Sequence, residues 1–399
     1  MASQVLPVAP APQKTEDYLD HIRDFAPLIE GAGDRIENDR RLPPDVLEAL
    51  HEARLFRLLL PRQYGGGEVD PPSFFRIISA VAQLDASTAW CLCQGNGCTM
   101  AAAYIDPETA NAIWGRDPAA VLAWGPGKAT ATPEGDGYRV TGSWSFASGM
   151  RHANWLGGHS VVTEADGTPR MGANGKPVIR TMLIPAEKTT ITDIWNVIGL
   201  RGTASDAFAV DNLFVPETYT VARDTPEERR CDMPLYQFSS SNLYATGFSG
   251  VAQGIARTML ESFRTLAGGK TPRNARHALR DNAVIQDEVA RSEARLGAAR
   301  AYLLSEVTGI WEDVAKGGPL TDDHRSRLRL ATTYGIHEAK AVGDTVYDAA
   351  GATAIFTSSP FERRFRDLHT VTQQIQGRKD HFQAVGAYML GHPLELASG

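Results

Sequence analysis

The sequence is poor in several features that define whole classes of proteins. It has four cysteines in 399 residues, too few for a disulfide framework. No apolar run approaches the ~18 residues that a membrane-spanning helix needs, and residues 1–13 lack the charged start and apolar stretch of a secretory signal. Basic residues are not in excess, since 40 Lys and Arg against 47 Asp and Glu give a net charge of −7. These absences count against nucleic-acid and membrane partners and predict a soluble, cytoplasmic protein.

Short motifs that commonly mark chemistry are also missing. Gly95-Asn96-Gly97 resembles half of a dinucleotide fingerprint, but Met100 stands where the third glycine belongs and no strand leads into it. Cys91, Cys93 and Cys98 have no histidine pair nearby at metal spacing, so buried, inert thiols are expected and no metal site is predicted. Phosphate-binding loops and serine elbows are absent. The chemistry must therefore be sought in less common patterns.

The composition is that of a globular protein, with 43% apolar and 22% charged residues. The spacing of the apolar residues changes near residues 117 and 230. Apolar residues recur at helical spacing first, then alternate as in strands, then return to helical spacing. The pattern predicts a mainly α protein with a β insert: an N-terminal helical domain (1–118), a central antiparallel β-domain (119–229) and a C-terminal four-helix bundle (230–399). The predicted bundle segments are 238–267, 280–315, 322–355 and 362–390.

The densest candidate for a site is the run from Trp144 to Trp155, WSFASGMRHANW. A glycine after a short strand, here Gly149, lets the backbone approach a flat ligand, and the hydroxyl of Ser148 offers a donor and acceptors. Tryptophans supply stacking surface. Taken alone, the run is also compatible with an aromatic strand of the core.

Together with other blocks, this run resembles the acyl-CoA dehydrogenase superfamily. The blocks keep the family order from about residue 15 to residue 392, and six blocks in order are a specific signal. They are Leu84–Trp90 (LDASTAW), Ala123–Pro126 (AWGP), Trp144–Trp155, Ile198–Ser205 (IGLRGTAS), Phe214–Pro216 (FVP) and Phe361–Asp367 (FERRFRD). The resemblance implies the three-part fold predicted above, a flavin held between the β-domain and the bundle, and usually a homotetramer.

The resemblance also identifies a gap in the chemistry of a dehydrogenase. In most dehydrogenases of the family a glutamate that removes the α-proton of an acyl thioester lies nine residues after the arginine of the tail Arg-Asp pair, which is Ile375 here. A minority place it on an early bundle helix, at a position matching about Tyr244. Neither residue can act as that base.

The amino-acid sequences of these blocks are similar to those of the two-component, flavin-dependent monooxygenases of this fold. That resemblance implies reduced flavin (FMN or FAD) delivered by a separate flavin reductase, O2, and transfer of one oxygen atom to a small aromatic or amine substrate. The serine matching Ser148 would hydrogen-bond flavin N5 and act as a catalytic residue. A histidine of this branch, eight residues after the tail arginine, is replaced by Gln374, which would orient the substrate or the peroxide by hydrogen bonds.

Other residues receive roles from the same resemblance. Trp124 and Gly125 match the segment that lines the pyrimidine side of the flavin, while Trp90 and Phe248 would border the substrate cavity. Arg273 and Arg276 lie where the family offers arginine to the flavin phosphates. Two arginines in a loop are also compatible with simple solvation.

Two other functions stay open at this point. One is an acyl-CoA dehydrogenase-like oxidoreductase whose base lies at a position not recognised here. The other is a family member without redox turnover that binds nucleic acid or a protein, against which the net charge of −7 counts. The missing glutamate separates the first of these from the monooxygenase.

Overall fold

The computed structural model describes residues 14–223 and 225–396. Helices come first, a sheet follows, and long helices complete the described chain, as the sequence predicts. The first part has these α-helices: α1 (Thr15–Asp24), α2 (Ala26–Gly31), α3 (Gly33–Asp39), α4 (Pro44–Glu52), α5 (Pro71–Leu84), α6 (Ala86–Thr99) and α7 (Pro107–Ala110).

The two apolar helices α5 and α6 begin at aspartate caps. The Asp70 carboxylate accepts a hydrogen bond from the backbone N–H of Ser73 at 2.7 Å, and Asp85 caps α6 in the same way through Thr88 at 2.7 Å. The apolar residues from Ser87 to Tyr104 predict one continuous helix, but α6 ends at Thr99 and tightens into a 3-10 turn. Because α6 is buried nearly all round, it presents side chains to the interior on every face.

The central part folds into one twisted sheet. Its strands are β1 (Leu122–Gly125), β2 (Gly127–Glu134), β3 (Gly137–Trp144), β4 (Trp155–Val162), β5 (Ile179–Pro185), β6 (Thr190–Thr192), β7 (Ala207–Pro216) and β8 (Thr220–Val221). Neighbouring strands follow the order β6-β7-β3-β2-β4-β5-β8, with β1 paired to β4. Gly135 (φ +59°) makes the predicted turn between β2 and β3, since that backbone conformation favours glycine.

The sheet is mixed, so the prediction of a purely antiparallel β-domain was wrong. β4 runs parallel to β1 over its first half and to β2 over its last residues. β4 does not pair with β3: residues 145–154, called the crossover below, carry the chain past β2, so that β4 pairs in parallel with β1 and β2 while β3 is antiparallel to β2. This crossover carries the candidate-site run.

The last part is the predicted bundle, with one break. Its helices are α8 (Ser240–Gly269), α9 (Ala283–Ala315), α10 (Asp322–Ala350), α11 (Pro360–Val371) and α12 (Asp380–Met389). The fourth predicted segment is interrupted, because the chain leaves helical geometry after Thr372 and makes a 3-10 turn, Ile375–Gly377, before α12. This turn holds the end of the chain against α8 and α10.

One apolar core joins the first helices to the bundle, and a second fills the space under the sheet. The boundary between them is where β1, the crossover, α6 and α8 meet. No helix in the described ranges is long and apolar enough to cross a membrane.

Candidate active site

Ser148 lies in the crossover between β3 and β4, with its side chain turned inward (7% exposed). The backbone around it is fixed, since Gly149 N–H donates to Thr203 O at 2.7 Å. The Ser148 hydroxyl accepts a hydrogen bond from the Trp90 indole N–H at 2.9 Å and lies 2.7 Å from the Ser205 hydroxyl. Helix α6, the crossover and the loop before β7 therefore meet at this oxygen.

The hydroxyls of Ser148, Ser205 and Thr203 form a hydrogen-bonded chain. Which hydroxyl donates at each bond is set by Thr203, at the end of the chain farthest from Ser148. Thr203 donates its single proton to Leu200 O at 2.9 Å, so its oxygen accepts from Ser205 at 2.8 Å. Ser205 has then used its own proton, and the bond between Ser148 and Ser205 must be donated by Ser148. Since Trp90 donates to the same oxygen, Ser148 keeps a lone pair, and no proton, for a ligand. The site therefore selects a hydrogen-bond donor at this point.

An aromatic stack extends from Trp90 onto α8. The Trp90 and Phe248 rings lie 4.0 Å apart in a stacked arrangement, and Phe248 stacks on Tyr244 at 5.7 Å. The Tyr244 hydroxyl donates to Gln94 O at 3.3 Å and lies 3.4 Å from Cys98 Sγ. These rings are almost fully buried and form an apolar wall beside Ser148.

Neither family position for a dehydrogenase base carries one. Burial raises the pKa of Tyr244 well above its ordinary value, so the phenol stays protonated. Ile375 is an alkyl side chain in the 3-10 turn before α12. An α-proton has no acceptor at either position.

Trp124 and Gly125 form the end of β1 nearest the crossover. Gln94 on α6 donates to Trp124 O at 3.3 Å, and the Arg223 guanidinium lies 4.8 Å from the centre of the Trp124 ring. A Cβ at Gly125 would overlap the carbonyl oxygen of Ser145, so this close approach of two backbones requires glycine.

Phe146 has a backbone conformation that is rare for an aromatic residue. Its φ is +57°, and its ring is 58% exposed beside Trp195, at 6.0 Å edge to face. Such left-handed, bulky residues concentrate at functional sites, where surrounding contacts hold them in place. The observation supports the crossover as the functional segment.

Gln374 lies in the last connection of the bundle, away from the crossover. Its side-chain oxygen accepts from the Gln376 N–H at 2.7 Å, and its side-chain nitrogen is buried without a partner. Gln376 in turn contacts Ser241, one turn before Tyr244 on α8. The structure thus connects Gln374 to the α8 end of the aromatic stack through one neighbour, and its substrate role stays a prediction.

Arg273 and Arg276 are exposed in the loop after α8. From Phe248 to the helix end at Gly269 there are 21 residues, which span about 30 Å along the axis. The structure thus places the two arginines far along α8 from Phe248, and their contact with the flavin phosphates stays a prediction.

The cysteines of α6 are buried thiols. Burial raises the pKa of Cys98 to about 12 and that of Cys91 further, so these side chains are protonated and inert. Among the described residues, no three His, Cys, Asp or Glu side chains are grouped so that they could hold a metal ion.

A cavity of about 840 Å³ opens between α10 and the end of the chain, lined by residues that include His337, Lys340, Asp344 and Gln373. None of the predicted site residues lines it. The cavity is therefore separate from the Ser148 site.

The residues around Ser148 fit a flavin. Ser148 offers an acceptor to the N5–H of a reduced ring, and the crossover and Gly125 offer backbone at close range to a flat ligand. Arg223, lying over Trp124, places a positive charge beside the segment expected at the pyrimidine edge. Ser148, Gly125 and Trp124 would hold the ring, with Arg223 favouring its anionic form.

Comparisons with known proteins identify the family of the chain. The family model for the N-terminal domain of acyl-CoA dehydrogenase matches residues 13–108, and the model for the C-terminal domain matches residues 246–377. The chain therefore belongs to the acyl-CoA dehydrogenase family.

Within that family its relatives are flavin-dependent monooxygenases. Indole-3-acetate monooxygenase of Pseudomonas putida is 30% identical over 94% of this chain and 93% of the relative. The oxygenase subunit HsaA of Mycobacterium tuberculosis is 28% identical over 89% and 90%, and its crystal structure superposes with a TM-score of 0.86, 25% identity, and coverage of 96% and 99%. The oxygenase component of the FADH2-dependent resorcinol hydroxylase from a Rhizobium species is 27% identical over 96% and 97%. The chain is a flavin-dependent monooxygenase of the acyl-CoA dehydrogenase fold.

Sequence reasoning missed three residues of this site. Ser205 and Thr203 stood in a quoted block without a role, although two small hydroxyls next to a glycine are a polar signal in an otherwise apolar segment. The role of Arg223 could not be predicted from the sequence, because its position over Trp124 depends on the pairing of β8 with β5 at the edge of the sheet.

Proposed function

We propose that this protein oxygenates a small aromatic compound with O2 and reduced flavin, either FMN or FAD. The direction of the hydroxyl chain carries the proposal, because it leaves Ser148 as an acceptor and only the reduced ring has a donor at N5. Bound reduced flavin supplies two electrons, so one oxygen atom enters the substrate, the other leaves as water, and the flavin ends oxidised.

The residues of the site have separate tasks. Ser148 holds the proton at N5, since its free lone pair accepts and it has no proton to give. Trp90 fixes the orientation of Ser148 and, with Phe248, excludes water from the space beside it. A buried, water-free site limits side reactions of the bound cofactor.

Gln374 replaces an imidazole and so limits the substrate chemistry. Its free side-chain nitrogen is a donor, which can orient a substrate oxygen but cannot remove a phenolic proton. The reaction then relies on the reactivity of an electron-rich ring and not on a protein base that ionises it.

The partners follow from the relatives. The Mycobacterium protein is an oxygenase subunit and the Rhizobium protein an oxygenase component, and both descriptions imply a second protein that reduces flavin. We extend this to the present chain: a separate flavin reductase supplies the cofactor, and an aromatic substrate is favoured by relatives that act on indole-3-acetate and resorcinol. A cytoplasmic location stays a prediction.

A homotetramer is part of the same proposal. The segment Asp348–Phe361 resembles a family segment that reaches towards a neighbouring subunit's flavin, and within it the adjacent side chains of Ile355 and Phe356 are each 61% exposed. Adjacent exposed apolar side chains support a contact surface at this segment. A neighbouring copy would also bring Arg273 and Arg276 within reach of a site other than their own.

An acyl-CoA dehydrogenase is the second candidate, favoured by the family models themselves. It requires a base of matched pKa near the thioester α-carbon. The phenol at Tyr244 and the alkyl group at Ile375 do not provide one.

Anaerobic mixing separates the two functions. Oxidised flavoprotein is mixed with acyl-CoAs of several chain lengths while the visible flavin band is followed. Loss of a general base costs ~10²–10⁴ in rate, so the band should persist. Rapid bleaching by any acyl-CoA contradicts the proposal.

A second experiment tests for oxygenation directly. It supplies NADH, a flavin reductase and ¹⁸O2 to the protein together with a panel of aromatic compounds. One ¹⁸O atom should appear in a product, and a parallel mixture without this protein corrects for oxidation by free reduced flavin. If no compound in the panel gains labelled oxygen although reduced flavin binds, the monooxygenase proposal fails.

A further inference from the structure

Arg329 on α10 is a buried cation without a counter-ion. It is 2% exposed, and within the described part of the chain it makes no ion pair. Its guanidinium donates to the neutral side chains of Gln376 and Ser241, the latter at 3.3 Å, while Nε is buried with no partner. Burial lowers the pKa of Arg329 to about 10. Such a charge is costly unless an anion joins it.

Two more polar atoms without partners lie at the same contact. The Thr333 hydroxyl and the Gln374 side-chain nitrogen are both buried and unpaired. Thr333 follows Arg329 by one helical turn, on the face that packs on the turn Ile375–Gly377, because His337 one turn later contacts Gly377 O at 2.9 Å. All three groups can donate a hydrogen bond.

The surroundings add positive potential. Ser241 is the second residue of α8, so the positive end of that helix dipole faces the guanidinium. Burial lowers the pKa of His381 on α12, so this neighbour is neutral, and Asp380, the acid beside it, is paired with Arg378 at 2.6 Å. The uncompensated charge at this contact is that of Arg329, which favours an anion as the ligand.

This cluster lies at the far end of the aromatic stack. Ser241, Tyr244 and Phe248 share one face of α8 at spacings of three and four residues. The seven residues from Ser241 to Phe248 span about 10 Å. An aromatic ring beside Phe248 therefore lies within reach of the cluster through a short acidic side chain.

We propose that Arg329, assisted by Gln374 and Thr333, binds the carboxylate of an aromatic acid whose ring lies beside Phe248. The inference rests on the proposed function for its substrate class, but the binding step is independent of turnover. Arg329 is a specificity-determining residue in this account, and an arginine suits it because its planar fork matches a carboxylate.

Paired probes test the charge directly. Dissociation constants are measured anaerobically, with reduced flavin bound, for phenylacetate against phenylacetamide and for indole-3-acetate against indole-3-acetamide. At least one acid should bind the unmodified protein more tightly than its amide. Arg329→Gln should weaken the binding of that acid by about 10- to 100-fold and the binding of the amide by less than about 3-fold. Arg329→Lys should retain part of the preference for the acid over the amide.

Arg300→Gln is the matched control, because Arg300 is also a partly buried arginine that donates to a serine, Ser79, and its pKa is also lowered by burial. It should leave the ratio of acid to amide unchanged. Equal weakening of acid and amide by Arg329→Gln would mean a structural role and overturn the proposal, as would no acid preference in the unmodified protein.

Two further outcomes separate neighbouring explanations. If Arg329→Gln weakens the binding of FMN but not the binding of riboflavin, the anion at Arg329 is the flavin phosphate and the proposal is overturned. If the acid preference depends on Arg329 but no aromatic acid is oxygenated, the carboxylate site stands and the proposed function fails.

Discussion

Removing one hydroxyl at a time tests whether Ser148 is held as an acceptor. Ser148→Ala takes away the oxygen that would accept from N5–H of reduced flavin. Ser205→Ala leaves that oxygen but frees the Ser148 proton, because its acceptor is gone. Both variants should therefore lower the ratio of the affinities for reduced and oxidised flavin. Ser148→Ala should do so by weakening the binding of reduced flavin, and Ser205→Ala by strengthening the binding of oxidised flavin.

The expected sizes follow from single neutral hydrogen bonds. One such bond contributes about 0.5–1.5 kcal/mol, so Ser148→Ala should weaken reduced flavin by about 2- to 12-fold and leave oxidised flavin unchanged. In Ser205→Ala the freed proton can be donated to N5 of oxidised flavin, whose affinity should rise by a similar factor. Ser148→Ala also leaves the Trp90 N–H unpaired, which costs about 1–3 kcal/mol of stability.

The assay is an anaerobic titration of flavin-free protein with reduced and with oxidised flavin, followed by the yield of hydrogen peroxide per NADH in the coupled reaction. Ser148→Ala should raise that yield, because the N5 proton is no longer held. Ser326→Ala, which removes a buried serine bonded to Asp323 O far from the site, is the control. An unchanged ratio of the two affinities in both Ser148→Ala and Ser205→Ala would refute the direction of the hydroxyl chain.

Two other predictions concern the bundle and the assembly. Burial raises the pKa of Asp367 from its ordinary 3.8 to about 7, so between these values the folded protein holds a proton that the unfolded chain releases, and this contribution to stability is lost as pH rises through 7. Asp367→Asn should therefore gain stability relative to the unmodified protein between pH 5 and pH 8.5, by about 3 kcal/mol, since the loss of ~1.4 kcal/mol per pH unit runs from pH 5 to about 7. A difference in unfolding free energy between variant and unmodified protein that is equal at both pH values would contradict it. Light scattering should find a tetramer at micromolar concentration, and Arg273→Ala with Arg276→Ala should weaken FMN more than riboflavin; a monomer, or equal weakening, would remove the intersubunit role.

Much of the fold could be predicted because its determinants are local. Asp70 and Asp85 precede apolar helices and cap them as their sequence positions suggest. The long periodic segments after residue 230 became α8, α9 and α10 with bounds shifted by a few residues. Apolar and polar residues alternate from Tyr138 onwards, after a turn at Gly135, and this alternation predicts β3.

What could not be predicted depends on pairing between distant parts of the chain. Alternation predicts a strand but not its partner, so the parallel alignment of β4 with β1 was missed. The partner of Ser148 is Ser205, 57 residues away, and nothing near either residue states the direction of their bond. The isolation of Arg329 is also invisible in the sequence, since Asp322 and Asp323 occur on the same helix but pair with Arg325 and Arg327.

The Leu200 peptide has a consequence for engineering. Its N–H donates to Asp367 on α11 at 2.6 Å, and its carbonyl oxygen ends the hydroxyl chain that starts at Ser148. A chimera that grafts the sheet of this protein onto other helices keeps the loop behind Ser148 anchored only where those helices carry a carboxyl group at the position of Asp367. The sheet and the bundle are therefore not independent modules, and a graft that preserves cofactor preference must preserve this contact.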